Sequence, residues 1–331
     1  MEYRNLGRTG VKVSSLCLGA MNFGDGADEQ ESARIVDRFL DDGGNFIDTA
    51  NVYSRGVSEE FTGKALKANG KRGQVFLATK VHGRMGDGQN DWGNARFHII
   101  DQCENSLRRL QTDHIDLYQI HRPQPEIPID ETLRALDDLI RAGKVRYIGT
   151  STFAAWQVVE SLWASKEYGL NRFISEQPPY NILDRRIERE LLPMAQTYGI
   201  GIIPWSPLAG GMLTGKYRKD QAPPEGSRYT NDRFRGSPVD ESVWRVVESL
   251  RSLCADKGCS MADFALAWCL SRPGVTSPII GPRTLAQLEE NLKAPDVTIT
   301  EEDSKRVDEI VAPGTFARSY YDAAFGPDTR W

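Results

Sequence analysis

The chain has 331 residues, 40% of them hydrophobic and 26% charged, the balance of an ordinary globular protein able to bury a large core. Its 41 basic and 46 acidic residues leave a net charge of −5, which gives no reason to expect nucleic-acid binding, and no apolar run approaches the roughly 20 residues of a membrane span. Residues Met1 to Arg8 are polar and contain no signal-peptide core, so a cytoplasmic protein is expected.

Residues 3–6 and 11–13, divided by the turn Gly7-Arg8-Thr9-Gly10, read as a β-hairpin ahead of the main fold. Short apolar runs then predict eight strands near 16–19, 46–48, 75–79, 115–120, 145–149, 173–176, 200–204 and 278–280. Helical patterns fall between them at 29–40, 94–110, 130–141, 154–168 and 187–198, and Gly43, Gly143 and Gly199 stand where helices stop. A long stretch after the seventh strand, about 208–277, holds a Gly/Pro-rich loop to about Pro238 and then helices at 241–257 and 260–271. A further helix is predicted at 285–291. Eight βα alternations without a strand-only section predict an α/β fold, a closed (β/α)8 TIM barrel, as one domain over residues 1–331.

Several alternatives fall away. Neither Gly19 to Gly26 nor Gly83 to Gly88 supplies the G-x-G-x-x-G spacing of a doubly wound dinucleotide-binding sheet, and no P-loop is present. The five cysteines are odd in number, widely spaced and without a C-x-x-C pair, so idle thiols are expected. Four histidines and no H-E-x-x-H pattern give no metal site.

The chemistry concentrates at predicted strand exits. Asp48-Thr49-Ala50-Asn51-Val52-Tyr53 follows Phe46-Ile47, and Ala78-Thr79-Lys80 and Gln119-Ile120-His121 follow at strand-like intervals. A carboxylate, a phenol, an ammonium and an imidazole are what carbonyl reduction by hydride requires, because the developing alkoxide needs an acid within hydrogen-bonding reach. Tyr53 is the candidate proton donor, Lys80 the cation that favours its phenolate, Asp48 the carboxylate that keeps Lys80 charged and placed, and His121 the neutral group that orients the carbonyl. Taken singly, each has an ordinary structural explanation; their joint occurrence at successive strand ends does not.

In this tetrad the sequence resembles the aldo-keto reductase superfamily, which carries Asp, Tyr, Lys and His in the same order at similar spacing. The likeness runs from about Tyr3 to Leu292 and includes Leu16-Cys17-Leu18-Gly19, Gly149-Thr150-Ser151-Thr152-Phe153, Glu176-Gln177, Trp205-Ser206-Pro207-Leu208 and Gly281-Pro282-Arg283 with Gln287, Glu290 and Asn291. The segment from Trp205 to Tyr217 looks most like the branch containing potassium-channel β subunits and bacterial aldehyde reductases. Two positions depart from common patterns: Thr152 stands where many relatives have Asn, and Trp205 where Tyr is common.

The resemblance implies NADPH/NADP+ as cofactor. Trp205 offers a stacking face for the nicotinamide, and Ser151, Thr152 and Gln177 offer polar groups for its carboxamide. Met21 and Asp48 join this cofactor-facing set. Ser206, Pro207, Leu208 and Gly210 lead into a glycine pair where backbone N–H groups can approach phosphates, with Lys216 supplying charge. Gly281 and Arg283, before the helix that carries Gln287, Glu290 and Asn291, suit the adenosine 2′-phosphate, and Arg228 is a second cation for it.

Phe23 and Trp92, with Tyr53 and His121, are expected around the substrate; Met21 and Tyr180 also sit in or beside strand-exit loops, where aromatic and apolar residues serve as pocket wall or loop anchor. The loop Gly83 to Gly88 and the segment 221–237 are expected to close over ligands, and the aromatic tail 319–331 to strap the barrel exterior. The leading expectation is an enzyme that reduces an aldehyde or ketone, a sugar or keto-sugar among the options, with a small-molecule carbonyl substrate, no nucleic acid and no membrane partner. Two alternatives use the same residues: an NADP(H)-binding sensor subunit with little turnover, and an alcohol dehydrogenase working in the oxidative direction. Homo-oligomerisation is left open.

Overall fold

A computed structural model describes residues 1–230 and 239–319. The hairpin forms as expected, β1 (Tyr3–Asn5) antiparallel to β2 (Lys12–Ser14) with Arg4 opposite Val13. It closes the amino end of the barrel. The Arg8 amide donates to Gly199 O at 3.0 Å, and a Cβ on Gly7 would lie 2.7 Å from both Gly199 O and Ile174 O, so this turn at φ +57° needs glycine.

The eight barrel strands are β3 (Cys17–Gly19), β4 (Phe46–Asp48), β5 (Phe76–Val81), β6 (Ile115–Ile120), β7 (Val145–Ser151), β8 (Phe173–Gln177), β9 (Gly201–Ile202) and β10 (Ile279–Ile280). All are parallel, in the order β10-β3-β4-β5-β6-β7-β8-β9. Past the ends of β9 and β10 the seam is closed by backbone: Thr276 N donates to Ile202 O and Ile279 N to Pro204 O, both at 2.8 Å. The fold is the (β/α)8 barrel that the alternation of elements predicted.

Around it lie α1 (Glu29–Asp41), α2 (Val57–Ala68), α3 (Arg96–Leu110), α4 (Ile129–Arg141), α5 (Ala155–Tyr168), α6 (Leu191–Tyr198), α7 (Glu241–Lys257), α8 (Met261–Ser271), α9 (Leu285–Asn291) and α10 (Glu301–Ile310). Neighbours pack in sequence from α1 to α5, α8 contacts α9, and α9 returns to α1. Helices α7 and α10 pack on each other. The larger core fills the space between strands and helices; a smaller one, with Leu6, Val13, Phe46, Phe76, Leu117 and Ile203, fills the barrel interior above the hairpin.

Three departures from the sequence reading have local causes. Helices α2 and α10 were not predicted, because one buries Ser58, Glu59 and Thr62 where an apolar stripe is sought and the other is acidic. Helix α6 begins at Leu191 rather than 187, since Pro193 lacks the N–H needed to extend the helical ladder backwards. Strand β9 is two residues long, and Pro204, which has no N–H to give, lies just beyond it, although Ile203 N still donates to Glu176 O and Trp205 N to Pro178 O. Part of the segment 221–237 and all but the first residue of the tail 319–331 lie outside the described residues.

Candidate active site

Strand register brings the tetrad together. Parallel pairing sets Asp48 beside Ala78 and Lys80 beside Gln119, so the inward-facing side chains of β4, β5 and β6 meet at the carboxyl end. His121 follows β6 directly, its amide bonded to Val81 O at 2.9 Å. Tyr53 opens the short 3-10 turn Tyr53–Gly56 that leads into α2.

Lys80 is completely buried. Its ammonium pairs with Asp48 Oδ1 and donates to Thr49 O at 2.9 Å and to Tyr53 Oη at 3.3 Å. Burial alone would lower the Lys80 pKa, but the Asp48 carboxylate and then Tyr53 outweigh it and hold the group charged, with its pKa raised. The ammonium also lies 4.9 Å from the centre of the Tyr53 ring. The Tyr53 and His121 rings meet edge to face at 5.5 Å. Burial first, then the charges of Lys80, Arg122 and His82, push His121 well below the usual imidazole range, so its ring is neutral and can donate one N–H.

Two residues outside the tetrad complete the carboxylate's surroundings. Gln119 Nε2 and Gln177 Nε2 donate to Asp48 Oδ2 at 2.9 and 3.0 Å. A Cβ at Gly149 would collide first with Ser175 Oγ and would stand 3.3 Å from Gln119 Cγ, so glycine there leaves room for both side chains. Gln119 was missed as a site residue although it shares the inward parity of Lys80's register, a period-two signal available in the sequence. The result is a desolvated ion pair whose remaining lone pairs are satisfied, the condition under which such a pair can be kept.

The residues expected at the cofactor line the same face. Trp205 is half-buried, and its indole N–H is buried without an acceptor among the described residues. Ser151 Oγ donates to Gln177 O at 2.9 Å, whereas Thr152, at φ +61°, turns its hydroxyl onto Ser151 O at 2.6 Å. The following segment is left-handed at Ser206, Ala209, Gly210 and Gly211, with Pro207 buried and Leu208 half-buried, a backbone able to turn successive N–H groups toward one anion. Lys216 folds over Gly211, where a Cβ would meet its Cε at 3.3 Å. Desolvation first, then Arg283 and Arg228, lower the Lys216 pKa, with Glu290 opposing them: three cations share one small region. Arg283 lies along Gly26 and donates to Gly226 O at 3.0 Å, and its amide donates to Gln287 Oε1 at 2.9 Å. Asn22, missed by the sequence reading, donates to Gly281 O at 2.8 Å; Asn291 is buried.

The residues expected at the substrate separate. Trp92 is 41% exposed beside His82, ring centres 6.1 Å apart, with the Arg84 guanidinium 5.8 Å from its ring. Met21 is 43% exposed. Phe23 and Tyr180 are wholly buried and pack in the core as loop anchors. The Gly83 to Gly88 loop is tied by Asp91, whose Oδ2 accepts from Gly88 N at 2.7 Å.

Residues 15–312 match the aldo/keto reductase family. An uncharacterized oxidoreductase of Bacillus subtilis is 41% identical over 94% of this chain and 96% of its own length. A probable voltage-gated potassium channel subunit beta of Arabidopsis thaliana is 41% identical over 90% of this chain and 92% of its own. Versiconal hemiacetal acetate reductase of Aspergillus parasiticus is 34% identical, covering 95% and 98%.

Proposed function

The chain belongs to the aldo/keto reductase family, and from that premise we propose that it is an oxidoreductase that reduces a small aldehyde or ketone to the alcohol with NADPH. The observation that carries the reading is the Lys80 ammonium set between the Asp48 carboxylate and the Tyr53 phenol, with a neutral His121 alongside. When bound, the nicotinamide supplies the hydride; everything else falls to side chains. His121 donates a hydrogen bond to the carbonyl oxygen and orients it, having no proton charge to compete with the phenol. Tyr53 gives its proton to that oxygen as charge develops. Lys80 stabilises the phenolate left behind, and Asp48, held by Gln119 and Gln177, keeps Lys80 charged and in line. Tyr53 is half-buried and so within reach of solvent for reprotonation.

NADPH rather than NADH is favoured by Lys216, Arg228 and Arg283, because three neighbouring cations suit the extra dianion of a 2′-phosphate. Trp205, Ser151, Thr152, Gln177 and the left-handed segment at Ser206 to Gly211 suit the rest of the cofactor. The plant relatives named as probable voltage-gated potassium channel β subunits favour a second reading, a channel-associated subunit, for which we propose that NADP(H) is held as a sensor with little turnover. Oxidation of NADPH at about 340 nm with a panel of aldehydes, ketones and keto-sugars separates them, with Tyr53→Phe as control. The reductase reading expects turnover that drops by about a hundredfold or more in the variant while NADPH still binds. Tight NADPH binding without turnover in the parent would favour the sensor.

A further inference from the structure

The Tyr53 phenol must stay within a hydrogen bond of Lys80, yet it stands on a backbone with little intrinsic stability. Ser54 and Arg55 follow it at φ +48° and +54°, then Gly56 at +97°, three consecutive left-handed residues of which two carry side chains. Such a turn persists only where its surroundings over-determine it. The first turn of α2 provides that restraint. Ser58 Oγ donates to Ala20 O and lies 2.7 Å from Thr49 Oγ1. Glu59, wholly buried, accepts from Thr79 Oγ1 at 2.5 Å and from Arg109 Nε at 2.6 Å. Thr49 follows Asp48 and Thr79 precedes Lys80, so two adjacent residues of α2 grip the chain neighbours of two tetrad residues. Arg109 closes the arrangement from α3: a Cβ on Gly56 would lie 2.7 Å from its Cδ.

We propose that Glu59, clamped by Arg109, is a positioning residue that sets the Tyr53 phenol against the Lys80 ammonium by tying the left-handed turn to β5. It touches neither substrate nor cofactor. This rests on the reductase reading for its kinetic consequence, but its structural consequence stands apart from turnover. A buried carboxylate with two partners is by default a fold-stabilising group; the kinetic split below distinguishes that role from positioning.

The test compares Glu59→Gln, which keeps the shape and the Thr79 contact, with Glu59→Ala, which removes both ties. Single-turnover rates are measured at saturating NADPH and scaled to the fraction of protein that binds cofactor. The expected result is a rate that falls in the order parent, Gln, Ala, by about tenfold or more in the last, with NADPH Kd within about twofold and a larger solvent deuterium isotope effect on the step. A rate per bound cofactor unchanged in Glu59→Ala, or a loss confined to Kd, would overturn the proposal. If Glu59→Ala does not fold, Thr79→Val breaks the strand tie alone and carries the same expectation. Should the parent itself show no turnover, the reductase reading fails while this one is still decided by amide hydrogen exchange. Faster exchange across Tyr53 to Gly56 in Glu59→Ala, or in Thr79→Val where Glu59→Ala does not fold, upholds the tie, and unchanged exchange sinks it.

Discussion

Glu176 stands next to Gln177 in β8 with no exposed surface. Its Oε1 accepts from Phe153 N at 3.1 Å, and its Oε2 is buried without a partner among the described residues. Burial pushes this carboxyl up from 4.5 to about 8, against the hydrogen bond from Phe153 N, the nearby donors of Thr150 and Thr152 and the charge of Arg122. The folded state therefore holds a proton that the unfolded chain releases above its ordinary value. Stability from this group is full below about pH 4.5 and is lost as pH rises through about 8, with an upper magnitude of about 5 kcal/mol. Glu176→Gln should flatten that slope: between about pH 5 and about pH 8 the parent's melting temperature is expected to fall further than the variant's. Equal falls in both would remove Glu176 as the cause. The tetrad was legible because four unlike ionisable types at strand exits have few joint explanations, whereas Glu59 was not and Glu176 was legible only as part of the likeness at Glu176-Gln177, since nothing in a lone acidic residue says which way it faces.

At the scale of elements, strands and long amphipathic helices were legible and α2 was hidden. Its buried face carries Ser58, Glu59, Thr62 and Gly63 beside Ala65 and Leu66, its N-cap is the left-handed Gly56, and its apolar residues are too few to stand out. By contrast, α10 carried a readable signal, the reciprocal cap of Thr300 and Asp303, in a helix too polar to catch the eye. The packing of α2 explains its composition. A Cβ on Gly63 would lie 2.6 Å from both the carbonyl carbon and oxygen of Leu110, so the glycine is where α2 meets the end of α3. Gly63→Ala would gain about 1 kcal/mol of helix propensity but force two backbones apart at a cost of about 1–3 kcal/mol. Packing should win, giving a lower urea midpoint without a change in slope. A midpoint equal to or above the parent's would mean that α3 yields more easily than its contacts suggest.

For the whole molecule the decisive feature is where the barrel closes. Strands β5 to β8 run five to seven residues, while β9 and β10, on either side of the seam, have two each. Periodicity suggested a longer β9; Pro204 and the irregular chain after it leave the seam to a few backbone bonds, chiefly Thr276 N to Ile202 O and Ile279 N to Pro204 O. The residues proposed for the cofactor stand on both flanks of this seam, Trp205 to Lys216 after β9 and Gly281 to Asn291 after β10, with Arg283 already spanning Gly26 and Gly226. A ligand held from both flanks must oppose seam opening, because it binds the closed barrel and not the open one. At about a hundred times Kd that linkage is worth about 2.7 kcal/mol, or roughly a hundredfold slower exchange of the Thr276 and Ile279 amides when exchange proceeds through seam opening. NADPH is expected to give that protection and, at the same concentration, NADH less of it. Arg283→Ala should erase most of the difference between the two cofactors. Protection spread evenly over β5 to β8 and absent at the seam would place the bound cofactor elsewhere, and equal protection by NADH would remove the three cations as its 2′-phosphate site.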